Sequence, residues 1–195
     1  MSLKHSITTS DYLPWDTMLS LVRRLYRDGE YRMSLLIGCG SFFGLRISDL
    51  LTLTWSDLLS SDMLVITEKK TGKRRTIRIN ASFQGHARSC YNALKVQNKG
   101  EYCFVNRSGT TYSVQYINRK FKAIKAKYGL KIDHFSTHSL RKIFGRQVVE
   151  NAGTNAEMAL IRLSEIFNHA DTMTTRRYLG LRQKELLETY DLLEF

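Results

Sequence analysis

His138 and Arg141 stand three residues apart at the start of "HSLRKIFGRQVVE". On a helix, residues i and i+3 share a face, so the imidazole and the guanidinium point the same way, with Gly145 next along the stripe. Leu140, Phe144 and Val148 form the neighbouring apolar row, which anchors the helix while the polar pair stands at the edge of the core. Two readings are open for such a pair: a solvated basic face, or a pocket for a phosphate. Three further stretches favour the pocket. In "GLRISDLLTL", Arg46 lies between a helix end at Gly44 and a new helix start, where free N–H groups and the helix dipole already favour an anion. Asp49 lies one turn beyond, placed to orient the guanidinium. In "EKKTGKR", Lys70 sits at the tip of a turn, able to reach into a ligand, with Lys69 and Lys73 as its neighbours. In "FNHADTMTTRRYLGL", His169 precedes Tyr178 by nine residues.

The elements that must position these groups are mostly helical. Pro14 follows a Ser/Thr/Asp-rich approach and opens a helix to about Arg27, with Leu21, Val22 and Leu25 on one face. "YRMSLLIGCGSFFG" predicts a buried helix stopped near Gly44, and "RISDLLTL" a short one with Ser48 and Asp49 in its first turn. "DMLVITE" and "RRTIRIN" are β-rich and partly alternating, with Ile77 and Ile79 on one face. "KKTGK" lies between them and Gly72 supplies the turn, so the pair predicts a β-hairpin. Helices are expected at about 81–98, 113–128, 137–151, 156–168 and 172–180, followed by an amphipathic stretch to the end. The fold class is mainly α with a small antiparallel β-sheet (α+β).

The 195 residues suffice for one sizeable core. Apolar residues make up 43% of the chain and there is one proline, which excludes a disordered or Pro-rich linker. No run of apolar residues reaches the length of a membrane span. The first residues lack a signal-peptide core, and a cytoplasmic protein is expected. Cys39, Cys90 and Cys103 are odd in number and widely spaced, so buried thiols are expected rather than a disulfide framework or a cysteine zinc site. The net charge of +12 is unevenly placed. Between Lys69 and Lys127 lie 15 of the 30 Lys and Arg residues against a single acid, Glu101. Such concentration points to a polyanionic partner. The charge spreads over a hairpin and at least two helices, which fits nucleic acid better than a membrane surface. Lys69, Lys73, Arg74, Arg75, Lys120 and Lys122 are the expected DNA contacts.

The segments "GLRISDL", "KKTGK", "HSLR", "NHADT" and "TTRRYLGL" together resemble the catalytic domain of the tyrosine recombinase (phage integrase) family, in that family's order. The resemblance covers roughly residues 12–182. It implies a mainly helical catalytic fold and a site-specific recombinase or integrase that cuts and rejoins DNA through a 3′-phosphotyrosine. Carried over, Arg46 and Arg141 are the catalytic arginines, Asp49 the acidic neighbour of the first, and Lys70 the hairpin lysine. His138 belongs to the His-x-x-Arg pair, His169 is the second histidine and Tyr178 the nucleophile. The chemistry suits these residue types. Two guanidiniums can clamp the non-bridging oxygens of a phosphodiester. They would also ease ionisation of a phenol whose free pKa is near ~10. His138 could take the phenolic proton, Lys70 could protonate the leaving 5′ oxygen, and His169 would donate to a phosphate oxygen. No metal, nucleotide or other cofactor is expected: the acids do not cluster as ligands, and "KKTGKRR" is too short for a phosphate-binding loop.

Two departures from the family pattern stand out. Asn168 replaces the usual glycine before the second histidine, and is expected to take the same left-handed helix-end conformation. Only 45 residues precede Arg46, too few for the family's separate N-terminal DNA-gripping domain, so 1–195 is expected to be a single catalytic domain, either an excised fragment or one like the short recombinases that invert DNA with little beyond that domain. Beyond Tyr178, Leu181, Leu186, Leu187, Leu192, Leu193 and Phe195 form an apolar tail at about 182–195, expected either on the chain's own core or on a neighbouring subunit of a DNA-bound tetramer. Tyr190 is expected as a core contact. The competing functions are a non-catalytic DNA-binding regulator of the same fold, a covalent topoisomerase, and a metal-independent ribonuclease that leaves Tyr178 without a role.

Overall fold

The computed structural model describes residues 11–181 together with Tyr190. The chain begins with α1 (Trp15–Arg27) and α2 (Tyr31–Phe43), continues through the short α3 (Ile47–Leu50) and α4 (Trp55–Leu59), and then forms β1 (Met63–Thr67) and β2 (Arg74–Arg78). Helices α5 (Ala81–Ala93), α6 (Val114–Tyr128), α7 (Thr137–Ala152), α8 (Ala156–Phe167) and α9 (Thr172–Leu179) complete the described elements. The mainly helical class with a small antiparallel sheet is as the sequence predicts. The strands pair antiparallel with Leu64 opposite Ile77 and Ile66 opposite Arg75. The apolar tail lies outside the described residues, except that Tyr190 is 70% exposed and so is not the core contact expected of it.

Helix α2 is buried on almost every side because almost every side is apolar: Leu35, Leu36, Ile37 and Cys39 have no exposed surface. Helix α7 crosses it closely. A Cβ on Gly40 would lie 2.4 Å from Leu140 Cδ1, so only glycine admits α7 at that distance. The opposite side of α7 carries α8 and α9 through a second, smaller apolar cluster of Leu160, Leu163, Phe167 and Leu179. Gly145 makes room there, since a Cβ would lie 2.6 Å from Leu179 Cδ2. Helix α7 is therefore the wall between two cores. Residues at its N-terminal end face the seam where the hairpin, the end of α2 and the ends of α8 and α9 meet.

Two local features differ from expectation. Helix α5 stops at Ala93, not near 98, because Lys95 adopts a left-handed φ of 52°. Val96 N–H donates to Tyr91 O and Lys95 N–H to Asn92 O, a complete helix-terminating turn built without glycine. Helix α4 was not foreseen; Thr54 and Asp57 cap each other's backbone N–H groups and start it. Asn168 ends α8 with φ 54° and ψ 49°, the left-handed conformation predicted for it. All three cysteines are buried free thiols, and burial raises the pKa of each, Cys90 to about 12.

Candidate active site

The ends of two helices build the floor. The last carbonyls of a helix have no partner inside it and carry partial negative charge. Helix α2 ends at Gly44 in a left-handed cap, and its terminal carbonyls each take an arginine. Arg75 Nη2 donates to Phe43 O at 2.8 Å, and Arg141 Nη1 to Gly44 O at 2.7 Å. Helix α8 ends at Phe167, whose carbonyl receives Arg141 Nη2 and Arg46 Nη2, both at 3.0 Å. The Arg141 guanidinium also lies 4.1 Å from the Phe167 ring centroid. Arg141 is 6% exposed. Burial, with Arg46 and Arg75 nearby, brings its pKa down to about 10, which leaves it charged at neutral pH.

Glu68 completes this cluster. Its carboxylate is 4% exposed and accepts Arg46 Nη1 at 2.6 Å and Thr71 Oγ1 at 2.9 Å. Burial works to raise its pKa, but the bonds from Thr71 and Arg46 and the charges of Arg46 and Arg141 outweigh it and hold the carboxyl below its ordinary range. Asp49 does not hold Arg46, as the sequence had suggested. Its Oδ1 accepts the Lys69 backbone N–H at 3.0 Å, so it anchors the end of the hairpin turn instead. The reason is geometric: Asp49 is fully buried in α3, whereas Glu68 follows β1 directly and lies against Arg46.

The turn that carries Lys70 is tied down on several sides. Gly72 N–H donates to Glu68 O, Glu68 N–H to Lys73 O, and Lys73 Nζ to Asn168 Oδ1 at 2.6 Å. Lys70 is exposed above this frame. Of the expected DNA contacts, Lys69, Lys73, Arg74 and Lys122 are exposed, and Lys120 is half-buried with Nζ 6.0 Å from the Tyr116 ring centroid. Arg75 is turned inward. It shares a strand face with Ile77, and the alternation that half-buries Ile77 carries Arg75 into the arginine cluster.

His138 stands in the first turn of α7, where Ser136 caps the helix. Partial desolvation, then the charges of Arg141 and Lys142, lower its pKa below 6.5. His169 leaves α8 through the turn closed by its own N–H on Ser164 O at 2.9 Å. Burial, with Arg141 and Arg46, lowers its pKa likewise. Tyr178 comes from α9. Its ring packs edge-on against Phe167 and His169 at centroid distances of 5.5 and 5.3 Å, and Lys142 Nζ lies 5.6 Å from its centroid. Its hydroxyl donates to the backbone carbonyl of His138 at 3.4 Å. Burial raises its pKa to about 12, although Arg141 and Arg46 pull the other way. Ionising this phenol at neutral pH is therefore harder than ionising a free one.

Arg46, Lys70, His138, Arg141, His169 and Tyr178 all line one cleft of about 420 Å³. Glu68, Thr175, Ser164 and Arg146 were missed. Thr175 lies inside a quoted motif, and Glu68 immediately precedes the hairpin lysines, but no spacing rule connects either to its partner.

Two arginines, two histidines, a hairpin lysine and one tyrosine thus line a single cleft of a helical domain. The phage integrase family model matches residues 18–185, and the chain belongs to that family. The "Probable integrase/recombinase YoeC" of Bacillus subtilis (strain 168) is 33% identical over 147 residues, covering 75% of this chain and 76% of the relative. The "Tyrosine recombinase XerC" of Xanthomonas campestris pv. campestris (strain B100) is 28% identical over 151 residues, 76% of this chain. The chain covers 44% of that relative's length in the match. Among solved structures, XerA recombinase superposes with a TM-score of 0.69 at 23% identity, over 94% of this chain and 66% of the other. XerH bound to a palindromic difH substrate after cleavage gives 0.67 at 21% identity, over 95% and 54%.

Proposed function

We propose that this chain is the catalytic domain of a site-specific recombinase that cuts and rejoins double-stranded DNA through Tyr178. The observation that carries this reading is the convergence of six side chains, from distant parts of the sequence, on a single cleft. Arg46 and Arg141 hold the non-bridging oxygens of the scissile phosphate. Tyr178 Oη attacks phosphorus and forms the Oη–P bond as the bond from phosphorus to the 5′ oxygen breaks. The phenolic proton passes to His138, and Lys70 supplies a proton to the departing 5′ oxygen. The product is a 3′-phosphotyrosyl linkage and a free 5′ hydroxyl. Attack by a 5′ hydroxyl reverses every step, so the bond energy is conserved and no nucleotide is consumed. The positive charge comes from Arg46, Arg141 and Lys70. Lys69, Lys73, Arg74, Lys120 and Lys122 grip the backbone, and the site of action is the bacterial nucleoid.

Met158, Ile161 and Met173 leave α8 and α9 with exposed apolar side chains, 52%, 44% and 50% exposed. They support assembly into a tetramer on DNA. Analytical ultracentrifugation with and without residues 182–195 tests that part, and an unchanged mass on DNA defeats it.

The main test uses nicked duplexes from the flanks of the gene. A 3′-linked covalent adduct is expected, absent in Tyr178→Phe. Affinity should fall with salt at a log–log slope of about −0.9 per phosphate neutralised. Tight, salt-sensitive binding with no adduct on any substrate would move the chain to the regulator class. Supercoil relaxation without strand exchange would make it a topoisomerase.

A further inference from the structure

Two buried hydroxyls and one backbone carbonyl decide which nitrogen of His169 carries its proton. His169 Nδ1 lies 3.0 Å from Thr175 Oγ1. Thr175 Oγ1 lies 2.8 Å from Ser164 Oγ, and Ser164 Oγ lies 2.8 Å from the carbonyl oxygen of Leu160. Thr175 has no exposed surface and Ser164 is 8% exposed, so water does not replace these bonds. Each hydroxyl has one proton to give. The Leu160 carbonyl has none, so Ser164 donates to it. Ser164 can then only accept from Thr175. With its proton given to Ser164, Thr175 can only accept from His169. The carbonyl of Asp171, 3.4 Å from Thr175 Oγ1, changes nothing at Nδ1: a Thr175 proton given there is equally withheld from the imidazole. The reverse order makes two bonds in place of three. It also leaves Ser164 and Leu160 in an oxygen–oxygen contact of 2.8 Å with no proton between them.

We propose that Thr175, backed by Ser164, fixes neutral His169 as the Nδ1–H tautomer, so that its Nε2 offers the cleft a hydrogen-bond acceptor. Thr175 is thus a positioning residue acting through His169. The consequence rests on the recombinase reading: His169 donates to a phosphate oxygen only after Nε2 has taken a proton. Arrival of the phosphate is accompanied by uptake of one proton, and until then His169 is a base. This replaces the simple donor role that the resemblance assigns to it.

The tautomer is read without DNA, so its outcome is independent of the adduct assay. The chain is labelled with ¹⁵N at histidine, and long-range ¹H–¹⁵N correlations are recorded at mildly alkaline pH. His169 is assigned by the loss of its signals in His169→Gln. The expected spectrum has a protonated Nδ1 and a bare Nε2. Thr175→Val keeps the shape and removes the oxygen, and should move the proton to Nε2. A protonated Nε2 in the unmodified chain overturns the proposal, as does an unchanged tautomer in folded Thr175→Val. Should Thr175→Val not fold, the spectrum of the unmodified chain decides alone.

Discussion

Arg46 and Arg141 donate to the same atom, the carbonyl oxygen of Phe167, each from Nη2 at 3.0 Å. The two residues are far apart in sequence and sit on different elements, yet one helix end sets the distance between their guanidiniums. A phosphate meeting both arginines meets a clamp whose spacing is built in before it arrives, which is what electrostatic preorganisation requires. A lysine at either position has a single nitrogen. It cannot hold Phe167 O, satisfy Glu68 or Gly44 O, and present a further donor to the cleft. Arg46→Lys and Arg141→Lys should each slow adduct formation on a nicked duplex by roughly 100–1,000-fold. The double variant should lose less than the product of the two, because the pair acts as a unit. DNA affinity, measured in parallel, should stay within a few-fold.

Glu68 should leave a signature in acid. Its folded pKa lies below the ordinary 4.5, so its contribution to stability is fully present above that value and is lost as pH falls through the folded pKa. Glu68→Gln removes the charge that Arg46 and Arg75 face, and at neutral pH it should destabilise the fold by roughly 1–3 kcal/mol. Thermal midpoints of the two chains should differ most above about pH 5 and converge below the ordinary 4.5. Parallel curves over that range would show that Glu68 is not held as an ion.

The contrast between Glu68 and Arg75 shows what a sequence displays and what it hides. Arg75 was readable: it shares strand parity with Ile77, and a face that half-buries one carries the other inward. Counting basic residues as surface charge passed over that alternation. Glu68 was not readable, because its bond to Arg46 joins β1 to the approach of α3 and exists only after the hairpin packs. The six side chains of the cleft were visible because their motifs are local, as "HSLR" is, or carry a fixed interval, as His169 and Tyr178 do. The hydroxyl pair behind His169 spans two helices and has no period. The end of α5 was hidden for a different reason: Lys95 takes a conformation usually signalled by glycine or asparagine. Helix α4 is too short to show a period.

His138 should set an acid limit on the cleavage reaction, and Tyr178 should set none near the ordinary pKa of a phenol. The His138 imidazole is below 6.5, so it is already the free base at neutral pH. The second-order rate of adduct formation should fall as pH drops below 6.5 and His138 takes up a proton. Tyr178, raised to about 12, should add no inflection near the ordinary 10. His138→Gln should slow cleavage at neutral pH by about 100-fold or more and flatten the acid limb attributed to His138. An acid limb unchanged in midpoint and depth in that variant would assign the base elsewhere, with His169 the next group to replace.

Arg146 fixes where α9, the helix that carries Tyr178, ends. It is 8% exposed and stacked on the Tyr12 ring, 4.1 Å from its centroid. Its Nε donates to Leu179 O at 2.9 Å and its Nη2 to Gly180 O at 3.0 Å. Both carbonyls follow Tyr178 directly, so α7 holds α9 from the residue next to the nucleophile. Arg146→Met keeps most of the packing and removes the donors, leaving the end of α9 without them. Adduct formation should fall by tenfold or more, in line with about 1–3 kcal/mol for unsatisfied acceptors, while DNA affinity is retained. The same clamp predicts that Tyr178 cuts at the arginines of its own chain. A mixture of Arg141→Ala and Tyr178→Phe chains, each inactive alone, should form no adduct. Adduct in the mixture would mean that α9 leaves its own α7 on DNA and that the contacts of Arg146 break before cleavage.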